Sequence, residues 1–122
     1  MYRLRWIAIA LLLTACGGRS LSVEGFNVQA WKDDHGGCDG NRAEQVDRLL
    51  GQKQVLLGSD EMDIVSALGK PDQTELYTRN QKFYYYYIEP GPECQSAASA
   101  SATRLEVRFN AMGLANEINL VK

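Results

Sequence analysis

The chain of 122 residues has a single histidine, only three cysteines, and no apolar run long enough to cross a bilayer. A membrane-spanning helix takes about 20 apolar residues, and the run from Trp6 to Leu13 is far shorter. One histidine confines any Ser-His-Asp or Cys-His arrangement to His35, which lies in a glycine-rich loop with no nucleophile at suggestive spacing apart from Cys38. The chain has no Gly-x-Gly-x-x-Gly fingerprint, no phosphate-cradling loop and no Cys/His zinc spacing. Lys and Arg form no stripe and are outnumbered, 13 against 15 Asp and Glu, which argues against nucleic acid as a partner. Neighbouring acids such as Asp33-Asp34 and Asp60-Glu61 read as turn and helix-start chemistry. The oxygens at 33, 34, 39 and 41 lack the alternating register, glycine and distal glutamate of a calcium loop. The expectation is therefore a non-enzyme with no catalytic residue, metal, cofactor or small-molecule substrate.

The strongest positive signal is N-terminal. Arg3 and Arg5 precede the apolar run, and Leu13-Thr14-Ala15-Cys16 follows it. This is a basic n-region, a short h-region and a small-residue cleavage site. The tetrapeptide is similar to the lipobox of bacterial lipoproteins. The resemblance implies cleavage before Cys16 and acylation of Cys16 by fatty acids such as palmitate, which tie the chain to a membrane. The alternative is a plain secretory signal in which Cys16 is incidental. Gly17 in place of Asp resembles the outer-membrane sorting signal, so the expected location is the outer membrane of a bacterial envelope, facing the periplasm. The expected organisation is a signal peptide over 1–15, a lipid-bearing cysteine with a flexible tether over 16–30, and one domain over 31–122. Loss of Arg3 and Arg5 with the signal lowers the basic count from 13 to 11 and moves the formal charge from −2 to −4. With Cys16 acylated, Cys38 and Cys94 remain as an even pair in an oxidising compartment, where a disulfide is the default. A reactive thiol or a metal ligand are its alternatives.

Periodicity then divides the chain. Phe26 to Trp31 reads as a short strand or an extended segment packed through Phe26 and Trp31, the extended form being favoured. Asn41 with Glu44 resembles a capping box, and Val46, Leu49, Leu50 and Leu56 or Leu57 recur at helical spacing, so a helix is expected from about Arg42 to Leu57. Ser59 or Asp60 caps a second helix with Ile64, Val65 and Leu68 on its apolar stripe, stopped by Gly69 and Pro71. Strands are expected at 74–78, 82–88, 104–109 and 114–121, with Arg79-Asn80 as a two-residue turn and Asn110 to Gly113 as another. The Ser/Ala-rich stretch from Gln95 to Ala102 reads as a mobile loop. The sum is an α+β chain, a two-layer sandwich with two N-terminal helices on one face of a three- or four-stranded antiparallel meander.

Residues 58–65 (Gly-Ser-Asp-Glu-Met-Asp-Ile-Val), Leu68-Gly69-Lys70-Pro71, the aromatic strand ending Tyr86-Tyr87-Ile88, and Leu105-Glu106-Val107-Arg108-Phe109-Asn110-Ala111-Met112-Gly113 occur in that order. Their succession resembles the SmpA/OmlA (BamE-like) domain of small outer-membrane lipoproteins. It implies protein binding in support of outer-membrane protein assembly or envelope integrity. The two-helix and sheet unit also resembles the repeat of β-lactamase-inhibitor proteins, which implies a binder of an envelope enzyme as the alternative. A structural surface lipoprotein is a third reading.

The aromatic strand is the candidate recognition element. Alternate side chains of a strand face opposite ways, so Tyr84, Tyr86 and Ile88 share one face, and Phe83, Tyr85 and Tyr87 share the other. Two helices cover one face only. The expected partner-binding set is Tyr84, Tyr86, Arg104 and Arg108, or Phe83, Tyr85 and Tyr87 if the opposite face is open; a merely solvated sheet face is the bland alternative.

Overall fold

The computed structural model describes residues 21–94 and 101–122. The expected signal peptide, Cys16, the expected tether at 17–20 and residues 95–100 of the expected mobile loop lie outside the described residues. Three helices, α1 (Val28–Asp33), α2 (Asn41–Gly51) and α3 (Glu61–Leu68), precede four strands, β1 (Gln73–Tyr77), β2 (Gln81–Tyr87), β3 (Arg104–Phe109) and β4 (Ala115–Val121). The strands form one antiparallel meander in the order β1-β2-β3-β4. This is the expected α+β class, with one helix more than the periodicity indicated.

The additional helix corrects the extended reading of Phe26 to Trp31. Asn27 is its N-cap, and the Asn27 side chain accepts from the Ala30 N–H at 3.1 Å. Trp31 is thereby carried fully into the core. The tether is corrected too, since residues 21–30 belong to the domain. Leu21, Val23 and Phe26 pack on the core. Backbone groups of Glu24 exchange two hydrogen bonds with the Gln52 side chain, at 2.7 and 2.8 Å. Gly25 and Asn27 are held the same way by Arg48 and Gln45. A polar segment that looks flexible by composition is thus ordered by side chains 18 to 28 residues away.

Helix α2 is not started by a capping box. Gly40 is its N-cap, at φ +82°, and makes no side-chain bond. The orphan N–H of Arg42 goes instead to the buried carboxylate of Asp34 at 2.9 Å, which also accepts from the Asp39 N–H ahead of the cap at 2.7 Å. The helix also ends early, at Gly51, and a separate 3₁₀ turn at Lys53–Val55 completes the stretch expected to be helical to Leu57. Asp60 caps α3, accepting from Asp63 at 2.8 Å, and Gly69 ends it at φ +81°. The β1–β2 connection holds three residues, Thr78–Asn80, one more than the expected two-residue turn, and within it Arg79 and Asn80 both take positive φ, 61° and 59°.

All three helices cover one sheet face. Trp31, Leu49, Leu56, Ile64 and Leu68 meet Tyr86, Leu105, Val107, Phe109 and Ile118 in one core. Each such fully buried side chain contributes about 1.5–3 kcal/mol. A buried ion pair lies at one end of this core. Arg42, fully buried between the rings of Trp31 and Tyr86, donates to Asp72 at 2.6 Å, to the Trp31 carbonyl at 3.0 Å and to the Tyr87 carbonyl at 3.3 Å. Asp72 also accepts from the backbone of Gly36 and Tyr87, at 3.0 and 2.8 Å. Two side chains therefore join α1, α2, the loop after α3 and the end of β2.

Candidate functional site

The register decides which aromatic set is open. Phe83 lies opposite Glu75 and Arg108, Tyr85 opposite Gln73 and Glu106, and Tyr87 opposite Arg104. This row lies on the side away from the helices. Tyr84 and Tyr86 are on the helix side, which corrects the first of the two expected sets. Tyr86 is fully buried, with its hydroxyl donating to the Gly69 carbonyl at 2.8 Å, and Tyr84 meets Phe109 edge-on at 4.8 Å. The helices withdraw these two because α3 must dock somewhere, and Leu105, Val107 and Phe109 mark the same face. Arg104 and Arg108 therefore accompany Phe83, Tyr85 and Tyr87.

The outer face is an ordered ladder. Tyr77 and Phe83 are 5.9 Å apart at right angles, and Phe83 and Tyr85 lie nearly parallel at 6.2 Å. The Arg104 guanidinium sits 4.0 Å over the Tyr85 ring and is steered by Gln73 at 2.9 Å. Arg108 lies 5.8 Å from the Phe83 ring and is fixed by Gln81 and Glu117. Rings under guanidinium groups attract them electrostatically, so both cations are pre-placed. Tyr85 donates to Glu75 at 3.1 Å; burial, then this bond, pushes its hydroxyl pKa up to about 12. Burial also raises Tyr84 and Tyr86. On the helix side, a hydrogen bond to Glu61 raises Lys82.

One end of this face is covered. Cys38 and Cys94 are joined as a disulfide, with Cα atoms 5.5 Å apart. The Gly91 N–H donates to the Gly36 carbonyl at 2.9 Å, and the segment from Pro90 to Cys94 crosses Tyr87 as a strap. A Cβ on Gly91 would come within 2.7 Å of the Tyr87 ring, so only glycine allows this approach. Tyr87 thus belongs to the correct face but is removed from contact, Tyr85 is likewise buried (6% exposed) with the Arg104 guanidinium over its ring, and the accessible part consists of Tyr77, the half-buried Phe83, Arg104 and Arg108. Tyr77 was absent from the sequence-derived set. The loop between β1 and β2 holds three residues, Thr78–Asn80, rather than the expected two, so Tyr77 and not Thr78 pairs with Gln81; the expected register would have turned Tyr77 to the Tyr84 side.

Elsewhere, His35, Lys70, Pro71, Asp72 and Glu93 line a cleft of about 230 Å³ at the disulfide end. Ligand sites usually offer about 300–1,000 Å³. Both Asp72 oxygens are already engaged, and Cys38 is held as a disulfide. Among the described residues, no three His, Cys, Asp or Glu side chains group to hold a metal ion, and no helix is long and apolar enough to cross a membrane. Comparison with family models, curated proteins and solved structures finds no match to this chain.

Proposed function

We propose that this protein is a lipid-anchored envelope protein, held by acylated Cys16 at the outer membrane, whose outer sheet face binds other proteins on the periplasmic side. The observation that carries the reading is the exposed Tyr77 and half-buried Phe83, stacked on a buried Tyr85 and flanked by Arg104 and Arg108, on the face the helices leave open. Protein interfaces are enriched in aromatic residues and arginine, and binding energy concentrates in such anchors. The rings are held by strand pairing and the arginines by Gln73 and Gln81, so little side-chain entropy remains to be lost on binding. The lipobox-like Leu13-Thr14-Ala15-Cys16 and the SmpA/OmlA-like order of motifs support service in outer-membrane protein assembly or envelope integrity.

The test is affinity capture from detergent-solubilised envelope with the parent protein and with Tyr77→Ala/Arg104→Ala/Arg108→Ala. Barrel-assembly components recovered by the parent and lost by the folded variant support the proposal. Recovery of a single hydrolase would assign the face to an inhibitor, and equal recovery by both proteins would remove the face from the account.

A further inference from the structure

We propose that the end of the domain formed by the β1–β2 and β3–β4 turns and the start of α3 rests on the lipid surface, with Val55, Met62, Leu76 and Met112 as its contact points. The inference rests on acylation at Cys16 and extends it, from a point of attachment to an orientation.

Four large apolar side chains are exposed at this end: Met62 (76%), Leu76 (75%), Met112 (78%) and Val55 (38%). The topology brings them together. Tyr77 pairs with Gln81, Lys82 with Phe109 and Phe109 with Ala115, so both hairpin turns lie at the same end of the sheet. Asp60 bridges to Leu114, and Gly58 donates to the Ala115 carbonyl at 2.8 Å, which places the 3₁₀ turn and the first turn of α3 there too. The disulfide, the Arg42–Asp72 pair and the strap are all at the opposite end.

The chain enters the domain at the same end. Glu24 is held by Gln52, Gly25 by Arg48 and Asn27 by Gln45, so this segment runs antiparallel to α2. Traced backwards, residues before Glu24 pass the C-terminal end of α2, which leads into Gly58 and the turn end. Cys16 precedes Leu21 by five residues, a reach of about 17 Å at most. The seven residues of β2 span roughly 23 Å. This tether is shorter than the sheet, which favours a domain standing on its turn end over one standing on its disulfide end.

The chemistry fits a bilayer interface. Lys53, Arg79 and Lys82 mix here with Asp60, Glu61 and Asp63, so the end has no strong field of one sign. Its apolar side chains project singly from turns, the end of β1 and a helix start, as suits shallow insertion among head groups rather than a packed protein groove.

The experiment uses the full acylated lipoprotein in vesicles of 3:1 phosphatidylethanolamine and phosphatidylglycerol, with brominated acyl chains as quenchers. Tryptophans are introduced one at a time as Met62→Trp, Met112→Trp and, on the outer sheet face, Asn119→Trp, and the emission of the buried native Trp31, measured in the parent protein, is subtracted. The proposal expects bromolipid quenching at 62 and 112, several-fold above that at 119. Flotation with vesicles but quenching at 62 and 112 no greater than at 119 overturns the orientation and leaves the anchor intact. Failure to float overturns the anchor and the orientation with it. Absent quenching with a cross-linked dimer through residue 112 assigns this end to a second copy and likewise overturns the proposal.

Discussion

Replacing Arg42 by methionine removes the one cation of the core while keeping much of its volume. The parent guanidinium donates to Asp72, Trp31 O and Tyr87 O, and its neighbours are the rings of Trp31 and Tyr86. The variant leaves a carboxylate only 6% exposed facing an apolar side chain. It also leaves two backbone carbonyls without this donor. Breaking one partner of a buried pair costs about 3–5 kcal/mol. Asp72 keeps the N–H groups of Gly36 and Tyr87, which hold the loss inside that range rather than above it. A domain of this size has about 5–15 kcal/mol in total, so the loss is a large share. With a urea slope of about 1.5 kcal/mol/M, R42M lowers the midpoint by roughly 2–3 M. The double variant R42M/D72N removes both charges, and its cost falls short of the sum of the single losses by at least about 1 kcal/mol. Urea unfolding with the disulfide oxidised is the assay. A loss below about 1 kcal/mol for R42M, or strict additivity in the cycle, refutes the claim that this pair organises the disulfide end.

Three further outcomes follow from the same geometry. Cys38→Ser/Cys94→Ser releases a closure of 56 residues, for which the chain-entropy model gives about 4 kcal/mol, so thermal unfolding of the double variant is expected well below the parent and an unchanged midpoint counts against the staple. Gly91→Ala pushes a methyl group against the Tyr87 ring and costs about 1–3 kcal/mol, read as a lower melting temperature; an unaltered melt means the strap does not press on Tyr87. Above pH 10 the unfolded chain loses phenolic protons that the folded chain keeps, because Tyr84, Tyr85 and Tyr86 are all raised, Tyr85 to about 12. Stability is then level below pH 10 and falls as pH rises toward 12, so phenolate absorbance for these three should appear together with loss of circular dichroism. Ionisation near pH 10 with the fold intact would contradict this.

Much of the sheet was legible because its signals are local. Leu105, Val107 and Phe109 alternate strictly, and Arg79-Asn80 marks the first turn, although the loop takes in Thr78 as well and shifts the β1 register by one residue. The early helices were harder. Asn27 has the composition of a tether residue, yet it caps α1 once Gln45 has fixed its backbone, a bond across 18 positions. Asp34 appeared to belong to an acidic turn, but its carboxylate starts a helix eight residues on at Arg42. The period-2 rule separates Tyr84 and Tyr86 from Phe83 and Tyr85, but cannot say which pair meets the helices. That choice is set by Trp31 and Arg42 closing on Tyr86, two contacts that no spacing in the chain announces.

The central claim is that the patch of Tyr77, Phe83, Arg104 and Arg108 receives a protein in the envelope. Its most direct measurement is photo-cross-linking in living cells, with a benzophenone side chain at Glu75 or Asn119 on the outer face and at Glu44 on the exposed side of α2. Discrete protein adducts at 75 and 119 and none at 44 are expected. Adducts at 44 alone, or none at 75 and 119 in a protein that is acylated and folded, would contradict the account.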